Sequence, residues 1–357
     1  LKNISAISIS SIKSIRVKIL KGTLLNIFLS KKLNRIGIMT AKRHILLIDP
    51  LEKLVIKKDS TLFLALEMQK TGIETYIFFE KDFYIRNHGE LKLNAYRFKG
   101  DVDSETFYIN SFKCTENVEI VPCENDIFHM RLDPPFDTRY LRYLWMFGFI
   151  EKLGAKVINA PQGISKNNEK IMAYEHPQSL KSYVGTSLST FTIFCQELIT
   201  DGHQNLIIKP LDLYQGIGVQ KASLTQKDLT EVFEKSIKEY QGPIVAQPFY
   251  EGIVDGEIRS VFYKCEELGT ILKTPVKGDF LANIAQGAGF VKGELNKVQK
   301  NACLEICEIL AGEGVDWVAF DVLGDYISEV NVTCPGLLVE VSKAMKKNLA
   351  LEIIARF

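Results

Sequence analysis

The sequence predicts an α/β protein that opens with a doubly wound parallel sheet. Residues 44–48 and 73–79 are short apolar runs, the pattern of strands buried on both faces. Residues 60–71, between them, carry apolar residues at helical spacing and stop before a glycine. This order indicates a βαβ unit, which places Asp49 at the carboxyl end of the first strand, where such sheets bind ligands.

The elements that follow are predicted from turn signals and periodicity. A hairpin is predicted to turn at residues 87–89, and two prolines at 134–135 form a rigid turn before a helix over 138–153. Alternating residues on both sides of Gly324-Asp325 predict a second hairpin over 316–332. Further strands and helices are predicted at residues 155–160, 205–210, 226–240 and 243–247.

Composition and charge exclude several classes of protein. Of the 357 residues, 46% are hydrophobic and 24% are charged, which is typical of a globular chain with two or three domains and excludes a disordered tail or a fibre. The net charge is only +1. We therefore expect no nucleic acid as a main partner, because a domain-wide basic excess is missing.

The N-terminal segment differs from the rest of the chain. Residues 1–43 hold ten Lys or Arg and no Asp or Glu, which leaves 34 basic against 43 acidic residues in the remainder. Residues 1–38 lack the long apolar run of a signal peptide or membrane helix, and Met39 opens a stretch that resembles a natural start. Two interpretations remain open: sequence upstream of the true start, or an acid-poor targeting leader. Both leave residues 1–38 outside the fold.

The cysteines indicate a reducing, cytoplasmic setting. There are seven of them, an odd number, and none forms a C-x-x-C pair, so neither a zinc site nor a disulfide framework is predicted. Cys303 and Cys307 lie four apart on one face of a predicted helix, where we expect them to be core residues.

Three oxygen-bearing side chains suggest a metal site in the predicted C-terminal hairpin. Glu329 and Asn331 are two apart on a strand and so face the same side, and the turn would place Asp321 opposite Glu329. Two carboxylates and an amide, without His or Cys, suit Mg²⁺ or Mn²⁺. The alternative is an ordinary polar outer face of an antiparallel hairpin.

Other residues supply what a nucleoside triphosphate site needs. Lys170 and Lys209 could offset phosphate charge, the loop with Gly216 and Gly218 could cover the phosphates, and Arg259 adds another cation. The loop lacks the G-x-x-x-x-G-K-[ST] pattern, so a P-loop is excluded, and it does not have the position of a dinucleotide fingerprint.

From about Arg43 to its end, the chain resembles bacterial glutathione synthetase, an ATP-grasp ligase. The stretches that carry the resemblance follow the family's order and spacing: IDPLEKLVIKKDST, RLDPPFDT, VINAPQGISKNNEK, IIKPLD, VAQPFYEGIVDGEIR and FDVLGDYISEVNVTCP. The resemblance implies an ATP-grasp fold behind a Rossmann-like N-terminal domain. The domains it implies are an N-terminal substrate-side domain (39–158), a central lid domain (159–245) and a C-terminal domain with the metal site (246–357).

The resemblance also implies roles for individual residues. Arg259 is placed like the arginine near the γ-phosphate and is expected to be catalytic, and the metal ligands are Asp321, Glu329 and Asn331. Lys273 is a second catalytic candidate, chosen for its place in the sequence and not implied by the resemblance. The residues implied to bind ATP are Lys170, Lys209, Gly216, Gly218, Gln247, Phe249, Tyr250 and Asp255. The residues implied to bind the other substrates are Lys57, Asp59, Ser60, Arg131 and Asn283.

The implied reaction joins γ-glutamylcysteine to glycine, with ATP and Mg²⁺ (or Mn²⁺), through an acyl phosphate. The resemblance further implies small-molecule substrates, a homo-oligomer and a cytoplasmic location, with no nucleic acid and no membrane as partners.

The sequence departs from the family pattern at two places near the phosphates. Leu281 replaces an arginine, and losing one oxyanion donor typically costs a factor of about 10² to 10³ in rate; Lys273 or Lys277 could compensate. The loop at residues 213–218 has fewer glycines than the family's loop, which restricts its backbone. Two alternatives therefore stay open: a related carboxylate–amine ligase with a different substrate, and an ATP-binding homologue weakened in catalysis.

Overall fold

A six-stranded sheet forms the N-terminal part of the molecule. The computed structural model describes residues 42–357, so the expectations for residues 1–38 lie outside the described residues. The strands are β1 (Arg43–Ile48), β2 (Glu74–Phe79), β3 (Leu93–Val102), β4 (Ile109–Ile120), β5 (Asp126–Arg131) and β6 (Lys156–Ile158). Their order is β4-β3-β2-β1-β5-β6. The adjacent strands β2, β1, β5 and β6 are parallel. Strands β3 and β4 form an antiparallel hairpin at one edge of the sheet.

Helices cover both faces of this sheet. They are α1 (Ser60–Lys70) and α2 (Thr138–Lys152). Even-numbered residues of β1 pack with α1 and odd-numbered ones with α2, because successive side chains of a strand point to opposite faces. The side chains of Asp59 and Asp137 cap the two helices by accepting backbone N–H groups. The doubly wound opening predicted from the sequence is confirmed.

The prediction of a hairpin that turns at residues 87–89 was wrong. Residues 84–90 are all exposed and lie outside the strands, so no apolar face pairs them with β3. The hairpin instead joins β3 to β4 through residues 103–108. Asp103 organises that turn by accepting from the backbone N–H groups of Glu105 and Thr106 and from the Thr106 hydroxyl.

A second, four-stranded antiparallel sheet follows the short helices α3 (Pro161–Lys166) and α4 (Glu169–Tyr174). Its strands are β7 (Tyr183–Gly185), β8 (Asn205–Pro210), β9 (Gln220–Ser223) and β10 (Ile244–Pro248), in the order β7-β10-β8-β9. Helices α5 (Leu188–Thr200) and α6 (Leu229–Tyr240) pack on it, and the rings of Phe191 and Phe233 stack at 4.0 Å. The result is a separate small core.

The third sheet carries the predicted C-terminal hairpin. Its strands are β11 (Glu257–Tyr263), β12 (Glu266–Thr274), β13 (Gly289–Lys292), β14 (Trp317–Leu323) and β15 (Tyr326–Asn331). All are antiparallel, in the order β13-β12-β11-β14-β15. The hairpin of β14 and β15 turns at Gly324-Asp325, as predicted, with a bulge after Asp321.

Three helices complete the third sheet. They are α7 (Lys297–Gly312), α8 (Leu338–Met345) and α9 (Leu349–Ile354). Helix α7 buries Cys303 and Cys307 against one face, as predicted, and all seven cysteines are free. On the other face, α8 and α9 pack with α1 in one continuous core, which joins the first and third sheets.

The remaining features concern short turns and boundaries. In the part of the chain that the structure describes, 3-10 turns occur at Leu51–Lys53, Ile56–Lys58, Glu80–Asp82, Glu251–Asp255 and Ile284–Gln286. Within residues 42–357, no helix combines the length and apolar character needed to cross a membrane. We retain the domain boundaries at residues 158 and 245 as a proposal, and note that β10 runs through the second of them.

Candidate active site

One cavity brings together residues from all three sheets. Its volume is about 700 Å³, and its wall includes Arg131 of β5, Lys209 of β8 and Asp321 of β14. The carboxyl end of the first sheet, the second sheet and one face of the third sheet therefore meet at a single concave surface. Most of the predicted site residues line this surface.

Four charged side chains of the third sheet form a group called here the charge cluster: Glu257, Arg259, Lys273 and Asp321. Lys273 and Asp321 are buried, and Glu257 and Arg259 are partly buried. Arg259 donates to both carboxylate oxygens of Asp321, from Nε at 2.9 Å and from Nη2 at 2.6 Å. Lys273 Nζ lies 2.8 Å from Asp321 Oδ1 and 2.6 Å from Glu257 Oε2. Each charge therefore has an opposite charge at hydrogen-bond distance.

Burial and ion pairing act against each other in this cluster. Burial alone would raise the pKa of Asp321, but the charges and hydrogen bonds of Arg259 and Lys273 outweigh it and hold that pKa below its ordinary value. Burial likewise acts to lower the pKa of Lys273, yet Asp321 and Glu257 raise it above the ordinary value. The pKa of Glu257 is raised by burial, and Lys273 offsets part of this effect. The two cations thus stay charged beside the cavity.

The predicted metal ligands stand together on one face of the hairpin. Asp321 is paired with Glu329 across β14 and β15, and Asn331 follows two residues later. The Asn331 amide nitrogen donates to Ala319 O at 3.1 Å and to Asp321 Oδ2 at 3.2 Å, which makes its carbonyl oxygen the group suited to a metal. Within residues 42–357, no three His, Cys, Asp or Glu side chains are placed to hold a metal, so the site depends on this amide. The donor set fits Mg²⁺ or Mn²⁺.

The two predicted phosphate lysines both line the cavity near this group. Lys170 Nζ is 3.0 Å from Glu329 Oε1 and donates to the carbonyl of Leu213 at 2.7 Å. Lys209 faces the cavity, and burial lowers its pKa while Glu329, Glu257 and Asp321 partly offset that effect. Both lysines therefore direct positive charge to the place where phosphate oxygens would lie.

Two loops, called here the covering loops, close over the lysines: residues 211–219 and 275–288. Asn283 donates from its amide to the carbonyl of Gln215, which ties one loop to the other. Gly216 lines the cavity and has φ +74°, and a Cβ added there would lie 3.2 Å from Leu281. Gly218 has φ +75° and would meet Tyr240 at 2.5 Å. Gly216 and Gly218 thus both have a backbone conformation that favours glycine, and a Cβ at either position would crowd a neighbouring side chain.

Neither Lys273 nor Lys277 takes the place of the family's arginine, which is Leu281 in this chain. Leu281 itself lines the cavity beside Gly216. Lys273 is held by Asp321 and Glu257, and Lys277 is exposed and lies outside the cavity wall. Lys273 therefore acts as part of the charge cluster and not as a separate replacement for the arginine.

The residues predicted to hold adenine and ribose are only partly brought together. Gln247, Phe249 and Tyr250 line the cavity, whereas Asp255 is exposed and lies outside its wall. Gln247 donates to the Ser182 hydroxyl at 2.8 Å. The Phe249 N–H donates to the carbonyl of residue 205 at 2.9 Å, so a hydrogen bond between adenine and the Phe249 backbone would be one that the Phe249 carbonyl oxygen accepts.

On the substrate side, four of the five predicted residues line the cavity: Asp59, Ser60, Arg131 and Asn283. Arg131 is buried, with its guanidinium 4.1 Å from the Trp317 ring centroid. Asp59 caps α1, and burial raises its pKa to about 6. Ser60 accepts the N–H of residue 338 at 3.0 Å. Lys57 is exposed, lies 4.7 Å from the Tyr108 ring and is not part of the cavity wall.

Sequence reasoning missed two acidic residues of the site. Glu257 is two residues before Arg259 on β11, so strand alternation alone could have placed them on one face. Glu169 accepts from the backbone N–H groups of Val332 and Thr333 and so ties α4 to the end of β15. No signal in the sequence could have indicated that second contact, because 163 residues separate the partners.

Comparison with known proteins identifies the family. Residues 43–165 match the N-terminal domain of prokaryotic glutathione synthetase, and residues 169–346 match its ATP-grasp domain. The chain belongs to the prokaryotic glutathione synthetase family. The glutathione synthetase of Coxiella burnetii is 28% identical over 311 residues, 87% of this chain and 94% of that protein. That of Wigglesworthia glossinidia brevipalpis is 26% identical over 306 residues, 85% of this chain and 94% of that protein.

Solved structures show the same fold. D-cycloserine synthetase DcsG has a TM-score of 0.60 at 13% identity, covering 88% of this chain and 99% of that one. D-alanyl-alanine synthetase A of Vibrio cholerae has a TM-score of 0.54 at 13% identity, covering 89% and 98%. The predicted ATP-grasp fold is confirmed. Members of this family are ATP-dependent carboxylate–amine ligases, so the chain acts on small molecules with ATP and Mg²⁺.

Proposed function

We propose that the chain joins γ-glutamylcysteine to glycine at the expense of ATP. The observation that carries the proposal is the charge cluster, which lines one cavity with Lys170 and Lys209, in a chain of this family. Cations at fixed positions stabilise the charge that gathers on a transferred phosphoryl group, and they do so most strongly where water is excluded. The relatives named above are glutathione synthetases, which supports the choice of substrates.

The chemistry divides into two steps. The cysteinyl carboxylate of the dipeptide attacks the γ-phosphorus, ADP leaves, and an acyl phosphate forms. The amine of glycine then attacks the acyl carbon, the C–N bond forms, the bond to phosphate oxygen breaks, and the nitrogen gives up a proton. Phosphate is a far better leaving group than the oxygen of a free carboxylate, which is why the first step is needed.

Each part of the site has a task in this scheme. Lys170 and Lys209 hold the nucleotide phosphates, and Arg259 and Lys273 stabilise the phosphoryl group during its transfer. Asp321, Glu329 and Asn331 would hold Mg²⁺, which when bound neutralises phosphate oxygens and orients the γ-phosphate.

The remaining residues position the organic parts of the substrates. On the dipeptide side, Arg131 offers a buried guanidinium suited to a carboxylate. Gln247, Phe249 and Tyr250 would hold the adenine. The ribose role of Asp255 and the substrate role of Lys57 stay predictions, since neither residue lies in the cavity wall.

Phosphate release from ATP tests the proposal. The full chain is mixed with ATP and Mg²⁺, with γ-glutamylcysteine and glycine both present or singly omitted. Release that requires both substrates is the expected result, together with a tripeptide product of matching mass. ATP binding without release under these conditions would contradict the proposed function. We also propose a homo-oligomer, to be measured by light scattering, and a cytoplasmic location.

A further inference from the structure

Glu340 is a buried carboxylate on the cavity wall with one oxygen that no protein group satisfies. It lies in the first turn of α8, is 2% exposed and lines the cavity. Within residues 42–357, Oε2 of Glu340 has no hydrogen-bond partner. A buried polar atom without a partner costs free energy, and native proteins rarely leave one unless a ligand or ion satisfies it.

Lys58 lies near Glu340 but does not form a hydrogen bond with it. Lys58 ends the turn Ile56–Lys58, also lines the cavity and has a side chain that is 32% exposed. Its Nζ lies 4.0 Å from Glu340 Oε1, beyond hydrogen-bond distance. One cation and one anion thus line the same cavity without a hydrogen bond between them.

The charge of Arg259 acts on Glu340, which relates the Lys58–Glu340 pair to the place where the phosphoryl group would be transferred. Burial is the main reason that the pKa of Glu340 is raised, and the charges of Lys58 and Arg259 act in the opposite direction. Arg259 belongs to the charge cluster, so Glu340 lies within electrostatic reach of the place where the phosphoryl group would move. A group that binds the second substrate has to lie there, because the attacking amine must reach the acyl carbon.

The chemistry of the pair matches an α-amino acid. Such a molecule carries a carboxylate and an amino group on the same carbon, so it needs one cationic and one hydrogen-bond-accepting partner close together. We propose that Lys58 and Glu340 form the subsite of the acceptor amino acid, with the carboxylate of glycine at Lys58 and its amino group at Oε2 of Glu340. This assignment rests on the proposed function.

Two variants and two acceptors test the assignment. Lys58→Met removes the cation, and Glu340→Gln replaces the free carboxylate oxygen without changing the shape of the side chain much. Phosphate release is measured against the concentration of glycine and of glycinamide, which keeps the amine but lacks the carboxylate. Titrations of ATP and γ-glutamylcysteine with each variant show whether the effect is confined to the acceptor.

The two variants should fail in different ways. Lys58→Met should raise the KM for glycine about tenfold to hundredfold, the range for a lost hydrogen bond to a charged group, and leave that for glycinamide unchanged. Glu340→Gln should raise both KM values about tenfold. The KM for ATP and for γ-glutamylcysteine should stay within about twofold, by the same arithmetic.

A surface ion pair of the same two residue types provides the control. Lys347 Nζ and Glu352 Oε1 lie 3.0 Å apart outside the cavity wall. Lys347→Met and Glu352→Gln should leave all three KM values unchanged, and thermal melting of all four variants verifies that they fold.

Three results would overturn the assignment. They are an unchanged KM for glycine, an equal loss for glycine and glycinamide in Lys58→Met, and a rise in the KM for γ-glutamylcysteine instead. A rise in the KM for γ-glutamylcysteine would mean that the γ-glutamyl end of the dipeptide, which also carries an α-amino group and a carboxylate, binds at Lys58 and Glu340. A wild-type chain that is inactive with both substrates would instead contradict the proposed function, and the assignment of glycine would fail with it.

Discussion

The charge cluster and the covering loops line the same cavity but are held by different forces. The cluster consists of side chains on neighbouring strands, joined by four ion-pair contacts of 2.6 to 2.9 Å. The covering loops are joined through Asn283 and through the packing of Leu281 beside Gly216. The cluster thus has its geometry before any ligand arrives, whereas fewer and weaker contacts join the loops. The comparison predicts that changes in the cluster affect both rate and stability, and changes in the loops affect mainly nucleotide binding.

The largest effect is expected from Asp321→Asn, which breaks the cluster at its centre. The change leaves Arg259 and Lys273 without their shared anion, and removing one partner of a buried pair typically destabilises a protein by about 3–5 kcal/mol. We expect kcat/KM to fall by a factor of at least about 10². Urea unfolding and phosphate release measure the two effects.

A surface pair sets the scale for this result. Arg356 Nη2 lies 2.6 Å from Glu266 Oε2, and the Glu266 side chain is 62% exposed. Glu266→Gln should therefore change the free energy of unfolding by no more than about 1 kcal/mol, with unchanged kinetics. If Asp321→Asn were as mild as Glu266→Gln, the cluster would not be the rigid part of the site.

The next largest effect is expected from Lys170→Met, because Lys170 connects the two regions. Its Nζ contacts both Glu329, beside the cluster, and the Leu213 carbonyl in a covering loop. Losing a charge-assisted contact should raise the KM for ATP about tenfold to hundredfold. Lys170→Arg keeps the charge and should recover most of the affinity. An equal loss in both variants would mean that the shape of lysine, and not its charge, supports the loop.

The metal ligands of the C-terminal hairpin could be predicted from the sequence far better than the covering loops. Asp321, Glu329 and Asn331 follow from strand alternation and a short turn, which are local rules. The contact of Leu281 with Gly216 joins two loops far apart in the chain, and no local rule fixes it. Asp255 shows the same limit, since a motif position beside a strand did not determine whether the side chain faces the cavity.

The first sheet shows the same contrast between local patterns and tertiary packing. Its first two parallel strands, β1 and β2, were predicted because each is a continuous apolar run. The β3–β4 hairpin was misplaced, because its strands alternate weakly and Asp103, an ordinary-looking acid in the sequence, organises the turn.

A smaller effect is expected from Leu281→Arg, which puts a cation into the covering loops. Lys273 is already held by the cluster, so an added guanidinium beside Gly216 should raise kcat about tenfold, a modest share of what a full oxyanion donor contributes. Leu281→Gln has a comparable length without the charge and should leave kcat unchanged. Equal behaviour of the two variants would show that the cluster alone supplies the positive charge needed for transfer.

The smallest effect is expected from Gly216→Ala. At φ +74° an alanine is strained by about 1 kcal/mol, and its Cβ would lie 3.2 Å from Leu281. Because the strain is confined to a covering loop, we expect the KM for ATP to rise about fivefold while the free energy of unfolding changes little. Both quantities come from ATP titrations and urea unfolding of the same protein.

Two further variants separate backbone strain from the contact with Leu281. Gly314 has φ +77°, but its added Cβ would lie 2.7 Å from Ala160 in the framework, so Gly314→Ala should lower the free energy of unfolding and leave the KM for ATP unchanged. Combining Gly216→Ala with Leu281→Ala removes the contact and keeps the strain. If the double variant recovers the wild-type KM, packing between the loops controls nucleotide entry; if it does not, the left-handed backbone at Gly216 does. A Gly216→Ala variant that lost global stability instead would show that the covering loops are part of the framework, and that the two regions are not held differently after all.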